Sequence, residues 1–134
     1  MKDLSARSGN TTAFAWMGDA VYEQYIREHL LRKFGSPHAD KLNWLAIEYV
    51  RADGQAACAK EMLDSGFLTE EETALLTRGR NHTSTSKPRG ASPMAYKMAT
   101  GFEAVVGWLY LSGNKARLEE VIAEAIRIIE ESHE

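Results

Sequence analysis

Residues Ala15 to Ile26 read "AWMGDAVYEQYI", and the way this run folds decides the class of the molecule. Placed on a helix, Phe14, Met17, Ala20, Val21 and Tyr25 form one apolar face, and Ala13, Trp16 and Ile26 spread apolarity around much of the remainder. A helix of that kind is expected to be buried. Yet it carries Asp19 near its middle, with a second acid, Glu23, one turn further on. A carboxylate in such surroundings needs a physical reason.

Outward from this stretch the same helical period recurs, and strand alternation is almost absent. Thr11 or Thr12 is expected to cap a first helix running to about Phe34, with Gly35 as its stop. Ser36-Pro37 opens a second through Leu42, Leu45, Ile47 and Tyr49, and a break near Asp53-Gly54 leads into a third that ends at Gly66. "TEEE", Thr69 to Glu72, is a capping box with acids in the first turn, and the fourth helix it starts fades near Arg80. Asn81 to Ser92, "NHTSTSKPRGAS", reads as a long loop. Ser92-Pro93 begins a fifth helix to about Ser112, and a last one runs from Lys115 to about Glu131 with Leu118, Val121, Ile122, Ala125, Ile128 and Ile129 on one side. The expectation is one all-α domain of about six helices over residues 1–134, with residues 1–10 a flexible tail.

The chain of 134 residues is long enough for one hydrophobic core. No apolar run approaches the roughly 20 residues of a membrane span, and the polar start "MKDLSARSGN" lacks a signal-peptide core. The single cysteine, Cys58, suits a reducing cytosol and lies in a helix-like stretch, where a buried structural thiol is expected. His29, His38, His82 and His133 are scattered without a ligand spacing or a cysteine partner, which excludes a zinc site.

The fifth helix poses the opening question again. In "YKMATGFEAVVGWLYL", Tyr96 to Leu111, Lys97 and Glu103 are the only charges, and Gly101 and Gly107 permit close approach of another helix. Three and four residues from Asp19 stand Ala15, Trp16, Tyr22 and Glu23; around Glu103 stand Ala99, Thr100, Val106 and Gly107. None is basic. A buried, unpaired carboxylate costs several kcal/mol or takes up a proton. The cost is offset by a distant Arg or Lys, by hydrogen-bond donors, or by a cation, and two carboxylates on facing helices are hard donors suited to Mg²⁺ or Mn²⁺. Glu23 has a simpler explanation in Arg27, four residues on, beside an accessory role near Asp19.

Charge distribution adds a second signal. The net charge is −3, yet Thr73 to Phe102 holds no acid while Arg78, Arg80, Lys87, Arg89 and Lys97 bring +5, so the rest of the chain carries −8. With Asn81 and several hydroxyl residues, this segment is built to hold a polyanion. "TRGRNHTSTSKPRGAS" has no aromatic side chain to stack on unpaired bases, which favours the backbone of a duplex over a single strand. Tyr22, Tyr25, Arg78, Arg80 and Lys97 either contact phosphate or brace the acids.

"AFAWMGDAVYEQYIREHLL", "TEEETALLTRGRN" and "YKMATGFEAVVGWLYL" together resemble the ribonuclease III family, in its small bacterial Mini-ribonuclease III branch, across nearly the whole chain. The resemblance implies an all-helical homodimer that cuts both strands of double-stranded RNA with Mg²⁺, leaving a short 3′ overhang. It places the first-motif aspartate on Asp19 and the second-motif glutamate on Glu103, and it gives the segment Asn81 to Ser92 to the RNA groove. The implied task is maturation of the large-subunit (23S) ribosomal RNA precursor, with other structured RNAs and a ribosomal protein presenting the substrate left open. Full-length members carry further acids at positions that here are Thr12, Ala15 and Thr100, and a separate double-stranded-RNA-binding domain with no counterpart in this sequence. The expectation is therefore one metal per site and steeply salt-dependent binding. Two rivals stand beside the enzyme: a non-catalytic dimer of this fold that binds structured RNA, and a helical protein whose apolar faces dock a protein partner.

Overall fold

The computed structural model describes residues 4–6, 9–82 and 92–133. Six helices follow in order: α1 (Thr11–Phe34), α2 (Ala39–Val50), α3 (Ala52–Ser65), α4 (Glu70–Asn81), α5 (Pro93–Leu111) and α6 (Lys115–Ser132), and no strand occurs among the described residues. None of the described helices is long and apolar enough to cross a membrane.

The all-α expectation holds, and most boundaries fall where the local chemistry puts them. Thr69 caps α4 as a full capping box: its hydroxyl accepts from Glu72 N at 3.1 Å and Glu72 Oε1 accepts from Thr69 N at 3.0 Å. Pro93 sits in the first turn of α5 behind Ser92, whose hydroxyl accepts from Ala95 N. Three boundaries differ. Asn10 caps α1, because its carboxamide oxygen reaches both Thr12 N and Ala13 N. His38, not Ser36, caps α2 through Nδ1 and Asp40 N. The break before α3 comes at Arg51, which is extended (φ −66°, ψ 151°), so Asp53 and Gly54 lie inside the helix. The supposed tail is partly packed: Ala6 is buried, and Arg78 donates to its carbonyl.

The core is organised around α5, which packs against α1, α3, α4 and α6. Phe102, Val105, Val106 and Leu109 are sealed among Phe14, Ile26 and Leu30 of α1, Leu75 and Leu76 of α4, and the α6 stripe, in which all six expected residues are buried. Close contact needs missing side chains. A Cβ on Gly107 would strike the Phe14 carbonyl and come to 2.8 Å of Gly18 N, and one on Gly18 would strike the Glu103 carbonyl. Gly79 and Gly101 do the same for α4 and α5, with a Cβ on Gly79 lying 2.8 Å from Gly101 Cα. The glycines lock the rotation of α1, and this corrects its expected face. The buried set is Phe14, Ala15, Gly18, Val21, Tyr22, Ile26 and Leu30, while Trp16 is 80% exposed and Ala20 faces outward.

A buried ion pair ties α6 to α4. Glu72 is 2% exposed and takes two hydrogen bonds from Arg117, at 2.7 and 2.8 Å, and Arg117 also donates to Phe67 O at 2.8 Å. Cys58 is buried as expected, and burial pushes its thiol up to about 12.

Candidate active site

The glycine crossing of α1 and α5 places the two isolated acids. Asp19 follows Gly18, and Glu103 is the residue whose carbonyl a Cβ on Gly18 would strike, so both acids stand at this crossing. The two carboxyls lie within hydrogen-bonding reach of each other. Neither forms an ion pair among the described residues. One expectation needs correcting. Asp19 is exposed, so the cost of burial falls on Glu103, which is half-buried. Burial first, and then the neighbouring Asp19, push the Glu103 carboxyl from the ordinary 4.5 up to about 8, while the Gln55 amide pulls in the opposite direction.

Gln55 is the functional candidate that the sequence analysis missed. It stands one turn into α3, is 2% exposed, and donates through Nε2 to Val50 O at 2.9 Å, joining the end of α2 to the site. That bond orients the amide, because exchanging its ends would set an oxygen against the Val50 carbonyl. Its Oε1 is the one buried side-chain polar atom without a hydrogen-bond partner among the described residues. The available signal was the same as for the acids: a lone polar side chain inside the small apolar run "GQAACA".

Other nominated residues fall into place separately. Tyr22 is a core residue, its hydroxyl donating to Tyr49 O at 2.8 Å and its ring edge-on to Phe102 at 5.3 Å. Glu23 pairs with Arg27 at 2.8 Å on the surface. Lys97 lines a polar cleft of about 340 Å³ that Glu103 borders, together with Thr12, Ala15, His82, Tyr96 and Thr100. Thus the positions of Thr12, Ala15 and Thr100 gather beside Glu103 without contributing a carboxylate. Arg78 is held near the N-terminal segment by Ala6 O, away from this cleft, and Arg80 donates to Asn81 Oδ1 at 3.3 Å. Asn81 ends α4 and does not begin a loop. Lys87 and Arg89 lie outside the described residues.

The residues present fit a hard divalent cation in one respect and limit it in another. Two adjacent carboxylates are oxygen donors of the kind Mg²⁺ and Mn²⁺ take. No group of three His, Cys, Asp or Glu side chains that could hold a metal occurs among the described residues. Any cation here would complete its shell with oxygens from solvent or substrate.

Helical topology and sequence agree on the class. A model of the ribonuclease III domain matches residues 12–114, and the chain belongs to the ribonuclease III family. Within it, the chain is 43% identical to Mini-ribonuclease 3 of Streptococcus pneumoniae over 90% of this chain and 94% of that protein. It is 41% identical to Mini-ribonuclease 3 of Enterococcus faecalis over 100% of this chain and 99% of that one. The crystal structure of a Fusobacterium nucleatum protein shares the fold with a TM-score of 0.78 at 30% identity, covering 90% of this chain and 94% of that one.

Proposed function

We propose that this protein is a metal-dependent endoribonuclease that cleaves double-stranded RNA, with Asp19 and Glu103 as its catalytic carboxylates and the 23S ribosomal RNA precursor as its substrate. The observation that carries the reading is the meeting of these two acids with no basic partner among the described residues. Asp19 and Glu103 would hold Mg²⁺, or Mn²⁺ in its place. A cation bound there supplies a Lewis acid that polarises the phosphodiester and lowers the pKa of water. Gln55 fixes the angle at which the Glu103 carboxyl is presented. Asp19, being exposed, is the member of the pair that the substrate reaches first.

The same reading pairs two chains so that two sites face opposite strands. Trp16 supports this, because a large indole left 80% in water one turn before Asp19 is a strong anchor for a second copy. Arg80, Lys87, Arg89 and Arg78 would add phosphate contacts, and cytoplasmic action with a ribosomal protein presenting the substrate belongs to the same proposal. The RNA-binding, non-cleaving alternative draws on the small set of acids. Asp19→Asn and Glu103→Gln are expected to retain helicity and dimer mass and to lose cleavage of a long RNA duplex in Mg²⁺. Full cleavage by either variant removes the metal-ligand assignment, and a wild type that binds duplex without cutting it selects the alternative.

A further inference from the structure

The cleft beside Glu103 has a character that the acids do not account for. Glu103 is the only acid in its lining among the described residues. Thr12 and Thr100 spend their hydroxyl protons locally, on Asn10 Oδ1 at 2.6 Å and Tyr96 O at 3.0 Å. Among the described residues, the donors left to meet a guest are the Lys97 ammonium, the Tyr96 hydroxyl and the His82 ring.

Lys97 belongs, with Lys41, Arg80 and Lys115, to the basic side chains that form no ion pair among the described residues, and it alone of these four lines this cleft. Arg27, Arg32, Lys33, Lys60, Arg117 and Arg127 each pair with a carboxylate. Lys97 is half-buried in the cleft and forms no ion pair among the described residues. A positive charge held in a recess, with no ion pair to the one carboxyl that shares the lining, is free to meet an anion. The volume of about 340 Å³ lies within the range of small-ligand sites. A second divalent cation does not fit here, since it would find one carboxylate, already shared with Asp19, and an ammonium repelling it.

We infer that this cleft is a phosphate subsite: it takes an RNA backbone phosphate next to the one presented to Asp19 and Glu103, with Lys97 supplying the charge and Tyr96 and His82 the hydrogen bonds. The identity of the polyanion rests on the function proposed above; the anion-binding character of the cleft does not. Seated there, a neighbouring phosphate sets the register of the strand before any bond is broken, so Lys97 is a binding residue whose loss raises KM and spares kcat.

The test measures equilibrium binding of a long RNA duplex in EDTA across a salt series, for wild type, Lys97→Met, Lys97→Arg and Tyr96→Phe. Circular dichroism confirms that each variant is folded. Lys97→Met is expected to lower the slope of log affinity against log salt by about 1, the signature of one lost phosphate contact, and Lys97→Arg to restore it. Tyr96→Phe weakens binding and leaves the slope unchanged. In Mg²⁺, Lys97→Met raises KM several-fold with kcat nearly constant. The subsite is overturned by an unchanged slope and KM, by a collapse of kcat at constant KM, or by a wild type with no affinity for duplex in low salt. A slope lowered by Lys97→Met, with a wild type that does not cleave, keeps the subsite and removes the nuclease reading; a wild type that cleaves, with a slope that Lys97→Met leaves unchanged, does the reverse.

Discussion

Replacing Glu103 by Gln should make the protein more stable while it stops cleaving RNA. The Glu103 carboxyl is raised by burial and by Asp19 from the ordinary 4.5 to about 8. A raised folded value means that its favourable contribution is complete below pH 4.5 and is lost as the pH climbs through about 8. At about 1.4 kcal/mol per pH unit, that interval sets a ceiling near 5 kcal/mol above pH 8. Glu103 keeps part of its surface in water, and solvent relaxation reduces this to roughly 2 kcal/mol. Gln has the shape of the protonated acid, carries no charge, and can donate to Asp19. For a chain of 134 residues, at about 4 °C per kcal/mol, Glu103→Gln should melt roughly 8 °C above wild type at pH 8.5 in EDTA. Near pH 4.5 the difference should vanish. Mg²⁺ should close the gap from the wild-type side, since a ligand of the native state stabilises only the chain that binds it. Thermal melts followed at 222 nm at the two pH values, with and without Mg²⁺, decide the matter. A variant no more stable than wild type at pH 8.5, or a gap of equal size at both pH values, would show that Glu103 bears no burial cost.

Protons and cations should compete for the same carboxyl pair, so Mn²⁺ affinity measured by calorimetry should fall about tenfold for each pH unit below 8, with close to one proton released per ion; pH-independent affinity places the ion elsewhere. Gly107→Ala puts a methyl group against the Phe14 carbonyl and 2.8 Å from Gly18 N, so it should cost about 3 kcal/mol in urea melts and cut cleavage sharply by prising Asp19 from Glu103. Burial alone would raise Glu72, but Arg117 and the Thr69 backbone outweigh it and hold the carboxyl below its ordinary range. Arg117→Leu strands that carboxylate and should cost about 3–5 kcal/mol near neutral pH, and a loss under 1 kcal/mol would mean the pair is incidental. Tyr22→Phe deletes the hydroxyl bonded to Tyr49 O, so about 1 kcal/mol of stability should go while kcat/KM stays within a few-fold of wild type. A large loss of kcat/KM would return Tyr22 to the site.

Helical class, the α4 capping box, the α5 proline start and the whole buried stripe of α6 were legible in the residues, because each depends on neighbours within a turn or two. The isolation of Asp19 and Glu103 from any basic neighbour was legible too, since a charge without a local partner stands out in any apolar run. The rotation of α1 was not. Apolar residues surround that helix, and its buried side is settled by Gly18 meeting α5 at Glu103 and Gly107, partners more than eighty positions away. That contact turns Trp16 and Asp19 outward and leaves Glu103 to bear the burial. Gln55 escaped notice for the same reason, and Lys97 was named without its cleft: an orphaned oxygen and the walls around an ammonium are defined by what packs there, and no local pattern along the chain encodes that.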